Sequence, residues 1–353
     1  MTRIPLTAET APPPEHSDLA ELLGRPPGEL DAWVVAARER LTGVIRKTPL
    51  TPFESGDPRV ELRLKLENEQ VTGAFKARGA WNSVIQLTDA ERAAGVVTAS
   101  SGNHGRALAW AAEKAGVRAT ICMPENSYPS KIEAARAHGA EVVLTPDRAA
   151  ANAEFDARVE AGMTPVPPYD ARRTLEGQGS VALEVLEDWP EVDLLVAPIG
   201  GGGLVSGCAL AFAADAARTG RSRHVVGAEP EGAASMVAAL VAGRSVDIER
   251  IDSKIQGLTP PFAGSLPLAI VARYVHAVVL SSDASILSAQ TRLVSEAGWT
   301  VEPAGAITAA TVWGGGLPED LLEGHSAEHP LRVCAIVSGG NPDPAQLDSI
   351  RSA

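Results

Sequence analysis

This sequence predicts an α/β protein of two doubly wound domains with mainly parallel sheets, on three observations. Short apolar runs alternate with helical patterns along most of the chain, the mark of strand–helix–strand units. Four consecutive glycines, Gly200 to Gly203, directly follow one of those apolar runs, as at a strand-to-helix turn. The length, 353 residues, suits two domains at about 150 residues each.

The elements follow in order. Residues 1–28 are polar and proline-rich and read as a mobile arm that buries little. From Asp31, the expected N-cap, a helical pattern places Trp33, Val34, Ala37 and Leu41 on one face. Residues 61–66 alternate like a strand. Further strands are predicted over 95–98, 118–123, 141–144, 193–197, 224–228 and 332–337, with helices over 107–115, 131–138 and 204–217. No repeat of fixed period is visible.

Lys and Arg total 31 against 44 Asp and Glu, a net charge of −13. That balance argues against nucleic acid or an anionic membrane surface as partner. The three cysteines, Cys122, Cys208 and Cys334, lie far apart and form neither a disulfide framework nor a zinc knuckle. No leader pattern and no bilayer-length apolar run is present, so a cytoplasmic enzyme is expected.

Four segments carry chemistry. Lys76 follows a Thr72-Gly73 turn at the start of a helical pattern, beside Phe75. A helix N-terminus and apolar neighbours both disfavour the ammonium, leaving the neutral amine that attacks a carbonyl. Standing alone, a snorkelling surface lysine would be the better reading. The other three segments change that.

The segment 98–105 lies between a strand and an Ala-rich helix. The hydroxyls of Ser100 and Ser101 and nearby amides form a nest for a carboxylate, with Asn103 and His104 as further donors. A plain Ser/Asn helix cap is the competing reading. Gly200, Gly201, Gly202, Gly203 and Leu204 form a loop whose amides can wrap a phosphate. Val205 and Ser206 stand where a dinucleotide fingerprint needs its last glycine, and no Walker loop occurs, so a smaller phosphorylated cofactor is expected. Ser338, at the end of the last apolar run, offers a hydroxyl at the sheet edge where ligands bind in open α/β sheets. No Gly-x-Ser-x-Gly elbow, His-Glu-x-x-His pair or histidine metal spacing appears.

Together and in this order, the segments resemble the fold type II pyridoxal-phosphate enzymes (tryptophan synthase beta-like), and within them the threonine/serine dehydratase and serine racemase group. The resemblance runs from about Leu41 to Gly340. It includes Arg78-Gly-Ala-Trp-Asn82, Lys131-Ile-Glu-Ala-Ala-Arg136, Gly177-Gln-Gly-Ser180 and Glu302-Pro-Ala-Gly-Ala306. It implies pyridoxal 5'-phosphate as cofactor, with Lys76 as the Schiff-base lysine and Phe75 packing on the cofactor. Asn103 would bond the pyridine 3′-oxygen, Gly200 to Leu204 the phosphate, Ser338 the pyridine nitrogen, and Gly257 would lie near by. Ser100, Ser101, Asn103 and His104 would cradle the substrate carboxylate, and Ser101 would be the second acid/base opposite Lys76.

The implied organisation is a large cofactor domain of residues 29–94 plus 173–353 and a small substrate domain of 95–172. The implied reaction is ammonia-lyase (dehydratase) action on a β-hydroxy amino acid of the threonine/serine type, by a homodimer. A serine/aspartate-type racemase and a β-replacement synthase are alternatives on the same fold, and a nucleotide-dependent oxidoreductase is the alternative from another class.

The sequence departs from the family pattern at three places. Ala74 replaces the usual serine before Phe75. Gln256-Gly257 replaces Asp-Gly, and a neutral amide would tolerate an anionic or bulky polar β-substituent that a carboxylate repels. Some relatives bind a divalent cation at positions that are Glu229, Ala233 and Ser235 here; the third ligand is missing, so no metal is expected.

Overall fold

The structure, a computed structural model, describes residues 3–5, 20–22 and 24–352. Its strands are β1 (Arg3–Pro5), β2 (Leu50–Phe53), β3 (Val60–Leu66), β4 (Val96–Ala99), β5 (Ala119–Pro124), β6 (Glu141–Thr145), β7 (Thr164–Pro165), β8 (Leu194–Pro198), β9 (His224–Pro230), β10 (Ala277–Ser281) and β11 (Leu331–Val337). One sheet has the order β1-β10-β9-β8-β11-β3-β2, the other β6-β5-β4-β7. All pairings are parallel except β1 with β10 and β2 with β3, at the two edges of the larger sheet.

Parallel strands covered on both faces explain why β8 and β11 read as near-continuous apolar runs. One face of the larger sheet packs on the helices Arg172–Asp188, Gly203–Thr219 and Ser265–Tyr274. The other packs on Asp283–Ala297 and Pro303–Trp313. The smaller sheet is flanked by Asn103–Ala115 and Arg148–Glu160. Its core also takes Leu41, Ala80, Trp81 and Val84 from outside residues 95–172.

Every strand predicted from sequence exists, with ends displaced by a residue or two. The strands not anticipated are β1, β2, β7 and β10. The first three are short edge elements with little pattern of their own, and β10 follows so closely on the apolar helix Ser265–Tyr274 that the two run together in sequence.

Two expectations change near the N-terminus. Asp31 occupies the N-cap of Ala32–Leu41 without bonding the helix. Its carboxylate instead grips Arg218 through two bonds of 2.9 Å, a charge-assisted pair that outcompetes a single amide. The expected arm buries more than its composition suggests where it is described: β1 extends the larger sheet, and Leu22 is fully buried. Most of the remaining arm lies outside the described residues.

Candidate active site

The helix Lys76–Ile85 begins where the turn before it is stitched to the end of β11. Ala74 bridges Gly339, the Phe75 amide donates to the Ser338 carbonyl at 3.2 Å, and the Gly340 amide to that of Gly73 at 2.7 Å. The segments that carry Lys76 and Ser338, distant in sequence, therefore meet at the C-terminal edge of the larger sheet. Lys76 Nζ donates to the Pro168 carbonyl at 2.7 Å. Burial pushes its pKa down to about 7. The Ser338 hydroxyl, in a buried residue, donates to the Ala304 carbonyl at 3.3 Å, leaving lone pairs free.

β8 leads into the glycine loop, and Gly203 starts a 17-residue helix. The amides of Gly200, Gly201 and Gly202 make no hydrogen bond among the described residues. They are free to receive an anion at a helix N-terminus. The glycines are also demanded by packing: a Cβ on Gly201 would lie 2.1 Å from Tyr169 Cγ, and Gly202 has φ +94°. Gly257 has φ +96°, and its carbonyl lies 3.1 Å from where a Gly200 Cβ would stand. Leu204 is buried in the first turn of the helix.

β4 leads into the segment 100–105. The amides of Ser101, Asn103 and His104 have no partner among the described residues, and neither has the Ser101 hydroxyl. Ser100 differs from expectation. Its Oγ accepts from the amides of Gly105 (3.2 Å) and Gly102 (3.4 Å), so it closes the turn as a cap. His104 differs too. Its Nε2 bonds the Val166 carbonyl at 2.8 Å, while burial first and the nearby Lys76 second depress its pKa to about 3. A neutral ring donating through Nε2 leaves buried, unpartnered Nδ1 only able to accept, so this side chain is no donor for a carboxylate.

Asn103 Nδ2 donates to Glu302 Oε1 at 2.5 Å, and its Oδ1 accepts from Asn341 Nδ2 at 2.8 Å. One Nδ2 hydrogen remains for an oxygen in the cleft. Burial drives the Glu302 carboxyl up to about 7, against the pull of that Asn103 bond. Gly339 leaves room for this pair, since a Cβ there would come within 2.2 Å of Glu302 Oε1 and displace it. Glu302 is a residue to which sequence reasoning gave no role, although its motif was noted. Glu229, one of the positions considered for a cation, accepts from the Met236 amide (2.8 Å), the Val237 amide (3.2 Å) and Ser235 Oγ (3.3 Å). It serves a helix start.

Beneath Lys76, Arg78 is fully enclosed. It bonds Glu67 through Nε (2.8 Å) and Nη2 (2.7 Å), and Glu184 through Nη1 (2.6 Å) and Nη2 (2.9 Å). Lys65 completes the cluster with bonds of 2.7 Å to Glu184 and to the Thr48 carbonyl. Two cations face two carboxylates, and the network fixes the first turn of the Lys76 helix against Arg172–Asp188.

A desolvated lysine, a serine hydroxyl at the end of the last strand and a loop of free amides suit a phosphorylated carbonyl cofactor better than a dinucleotide. The chain belongs to the pyridoxal-phosphate dependent enzyme family, whose model matches residues 41–339, and it has the fold type II architecture. It is 36% identical over 358 residues to the biosynthetic L-threonine dehydratase of Mycobacterium tuberculosis (strain ATCC 25618 / H37Rv), covering 98% of this chain and 78% of that one. It is 34% identical over 311 residues to the serine racemase of Oryza sativa subsp. japonica, covering 87% and 89%. The structure of maize serine racemase superposes with a TM-score of 0.80 at 32% identity, over 90% of this chain and 95% of that one.

The cofactor of this enzyme is pyridoxal 5'-phosphate, and the residues present fit it: free loop amides, a free Asn103 hydrogen and a lysine amine neutral near pH 7. Because that amine is protonated below about 7 and free above it, cofactor capture by the stripped enzyme should speed up with pH through about 7, not near the ordinary lysine value of 10.5. Absorbance-monitored reconstitution over a pH series checks this. A rate still rising steeply well above neutrality would contradict it.

Proposed function

We propose that the protein is an ammonia-lyase (dehydratase) that converts β-hydroxy amino acids of the threonine/serine type to a 2-keto acid and ammonia. The observation carrying this reading is a lysine amine lowered to about 7, next to a turn that is bonded to the strand end bearing an uncharged hydroxyl, Ser338. Dehydratases among its relatives support it.

Pyridoxal phosphate supplies a carbonyl that amines condense with and a ring that draws electrons from the substrate's α-carbon. Lys76 Nζ takes the α-proton; with burial lowering its pKa to about 7, much of it is the neutral amine near neutral pH. The free amides of Ser101, Asn103 and His104 bind the α-carboxylate. Asn103, oriented by Glu302 and Asn341, presents its remaining hydrogen to the ring oxygen, and the glycine loop with Leu204 holds the phosphate. Phe75 would pack on the ring, and Gly257 would border it. Ser338 shares a hydrogen bond with the ring nitrogen but, uncharged, cannot hold a proton there as a carboxylate would. That tempers the ring's electron demand and favours prompt loss of the β-hydroxyl over transamination.

One observation favours a racemase as second reading: the Ser101 hydroxyl has no partner among the described residues and is free to act as a second acid/base. A hydroxyl is a poor base without an acceptor for its proton, and none is bonded to Ser101. Ser101→Ala is therefore expected to cost reaction with D-serine about tenfold more than elimination from L-serine. Ammonia release and change of chirality, scored together on L- and D-substrates, test both readings. Equal losses on both enantiomers would reduce Ser101 to a carboxylate-positioning role.

The same proposal takes a division at residues 94/95 and 172/173, a homodimer and the cytoplasm. Three free, buried cysteines suit a reducing compartment, and among the described residues no helix is long and apolar enough to cross a membrane.

A further inference from the structure

We propose that the substrate pocket is built for an amino acid with a second anionic group at its β-carbon, a β-hydroxy dicarboxylic amino acid, and that Lys131 recognises that group. The proposal rests on the ammonia-lyase reading for its reaction, and on two side chains that cross the cleft for its substrate.

Lys131 lies on the helix Pro129–Arg136 beside the smaller sheet, and its Nζ reaches across to Gln256 Oε1 at 2.6 Å. Gln256 precedes Gly257, whose carbonyl lies against Gly200 of the phosphate loop. The Lys131 ammonium therefore stands at the cleft beside the cofactor loop. Arg106, on Asn103–Ala115, crosses in the same sense to Asn341 Oδ1 at 2.6 Å, and its buried Nε has no partner. Both cations lie close enough to Glu302, the carboxyl on Asn103, for their charges to act on it.

Among the described residues, neither Lys131 nor Arg106 has a carboxylate in contact; each is met by a neutral amide. Desolvation lowers the pKa of both. In a chain with 44 acidic residues, the deeper cations Lys65 and Arg78 are matched by Glu67 and Glu184. Glu302 acts on both cations, and Asp343 on Lys131, only from a distance, and two cations without a contacting carboxylate in a partly dehydrated cleft are stabilised when an anion enters. The cofactor phosphate has the glycine-loop amides and the α-carboxylate has those of the segment 101–104, so a third anion suits Lys131. Gln256 is what leaves the charge available: an aspartate in its place would neutralise Lys131 from within.

The reaction balances as for any β-hydroxy amino acid. The α-proton and β-hydroxyl leave as water, hydrolysis consumes one water, and a dicarboxylic 2-keto acid and ammonia result.

The test uses the holoenzyme with 3-hydroxyaspartate (both diastereomers), L-serine and L-threonine, reading kcat/KM, together with competitive binding of succinate and of butyrate. A preferred diastereomer of 3-hydroxyaspartate should exceed serine by about tenfold or more, and succinate should bind more tightly than butyrate by a similar factor. Lys131→Met and Gln256→Asp should each reduce both ratios about tenfold, the first by removing the charge and the second by neutralising it. Serine or threonine turned over as well as 3-hydroxyaspartate, or ratios unmoved by both variants, would overturn the proposal. Ammonia from none of the substrates would overturn the ammonia-lyase reading instead, and the succinate-to-butyrate ratio would then decide for or against the dicarboxylate site alone.

Discussion

Replacing Lys76 with alanine is expected to reduce ammonia release by at least about 10⁴-fold, the upper end of what a positioned general base contributes. The proposed reaction gives the residue two tasks, holding the cofactor and moving the α-proton, and no other lysine is placed for either. Lys65 is fully buried but engaged with Glu184 and the Thr48 carbonyl at 2.7 Å. Lys131 is turned to Gln256 across the cleft. Borohydride should fix the cofactor to the wild-type chain at Lys76, and peptide mapping should find no label in Lys76→Ala. The variant should still fold, because Ala77, Ala80 and Val84 carry the packing of that helix and Lys76 contributes one bond to a backbone carbonyl. A label on another lysine, or alanine retaining a tenth of the activity, would remove Lys76 from the reaction.

The largest stability effect is expected at Arg78. In Arg78→Met, a side chain of similar length leaves Glu67 and Glu184 buried opposite Lys65 alone, and breaking such a pair costs about 3–5 kcal/mol. At about 2.1 cal/mol/K per residue, that lowers Tm by roughly 4–7 °C. The loss should depend on pH. Burial, the largest single influence, would raise the Glu67 pKa, but the Arg78 guanidinium, with help from Lys65 and the Thr48 hydroxyl, holds the carboxyl below its ordinary 4.5. In the wild type this contribution is therefore complete above 4.5 and lost as pH falls through the folded value. With Arg78 gone, burial has less opposition, and protonation relieves the variant at higher pH. Melting curves should show the gap narrowing as the solution is acidified. A gap that stays constant down to the carboxylate range would show that lost packing, not charge, accounts for the cost.

The parts of this enzyme that were legible in the sequence are those whose physics is local. β8, β9 and β11 announce themselves because a parallel strand covered on both faces must be apolar throughout. Lys76, the glycine loop, the Ser100–Gly105 turn and Ser338 each sit at a junction between a strand or turn and the next element, where backbone geometry and residue type are bound together within a few positions. Arg78, Glu302, Arg106 and Lys131 had no such local mark: each lay in or beside a recognised motif without a visible task.

Their tasks arise from partners far along the chain. Glu302 acts on Asn103 from 199 positions away, Lys131 meets Gln256 across 125, and Lys76 meets the Pro168 carbonyl across 92. The same distance effect reversed two local expectations, since Arg218 drew Asp31 off its helix and the Val166 carbonyl turned His104 from donor to acceptor. A side chain's hydrogen bonds and charge state depend on which groups remain beside it once water is excluded. Sequence alone determined where the backbone could turn, bury itself and expose an amine or a row of amides. Which carboxylates are paired, which hydrogen stays free and which cations stand unmatched in the cleft was decided only when two sheets closed around it.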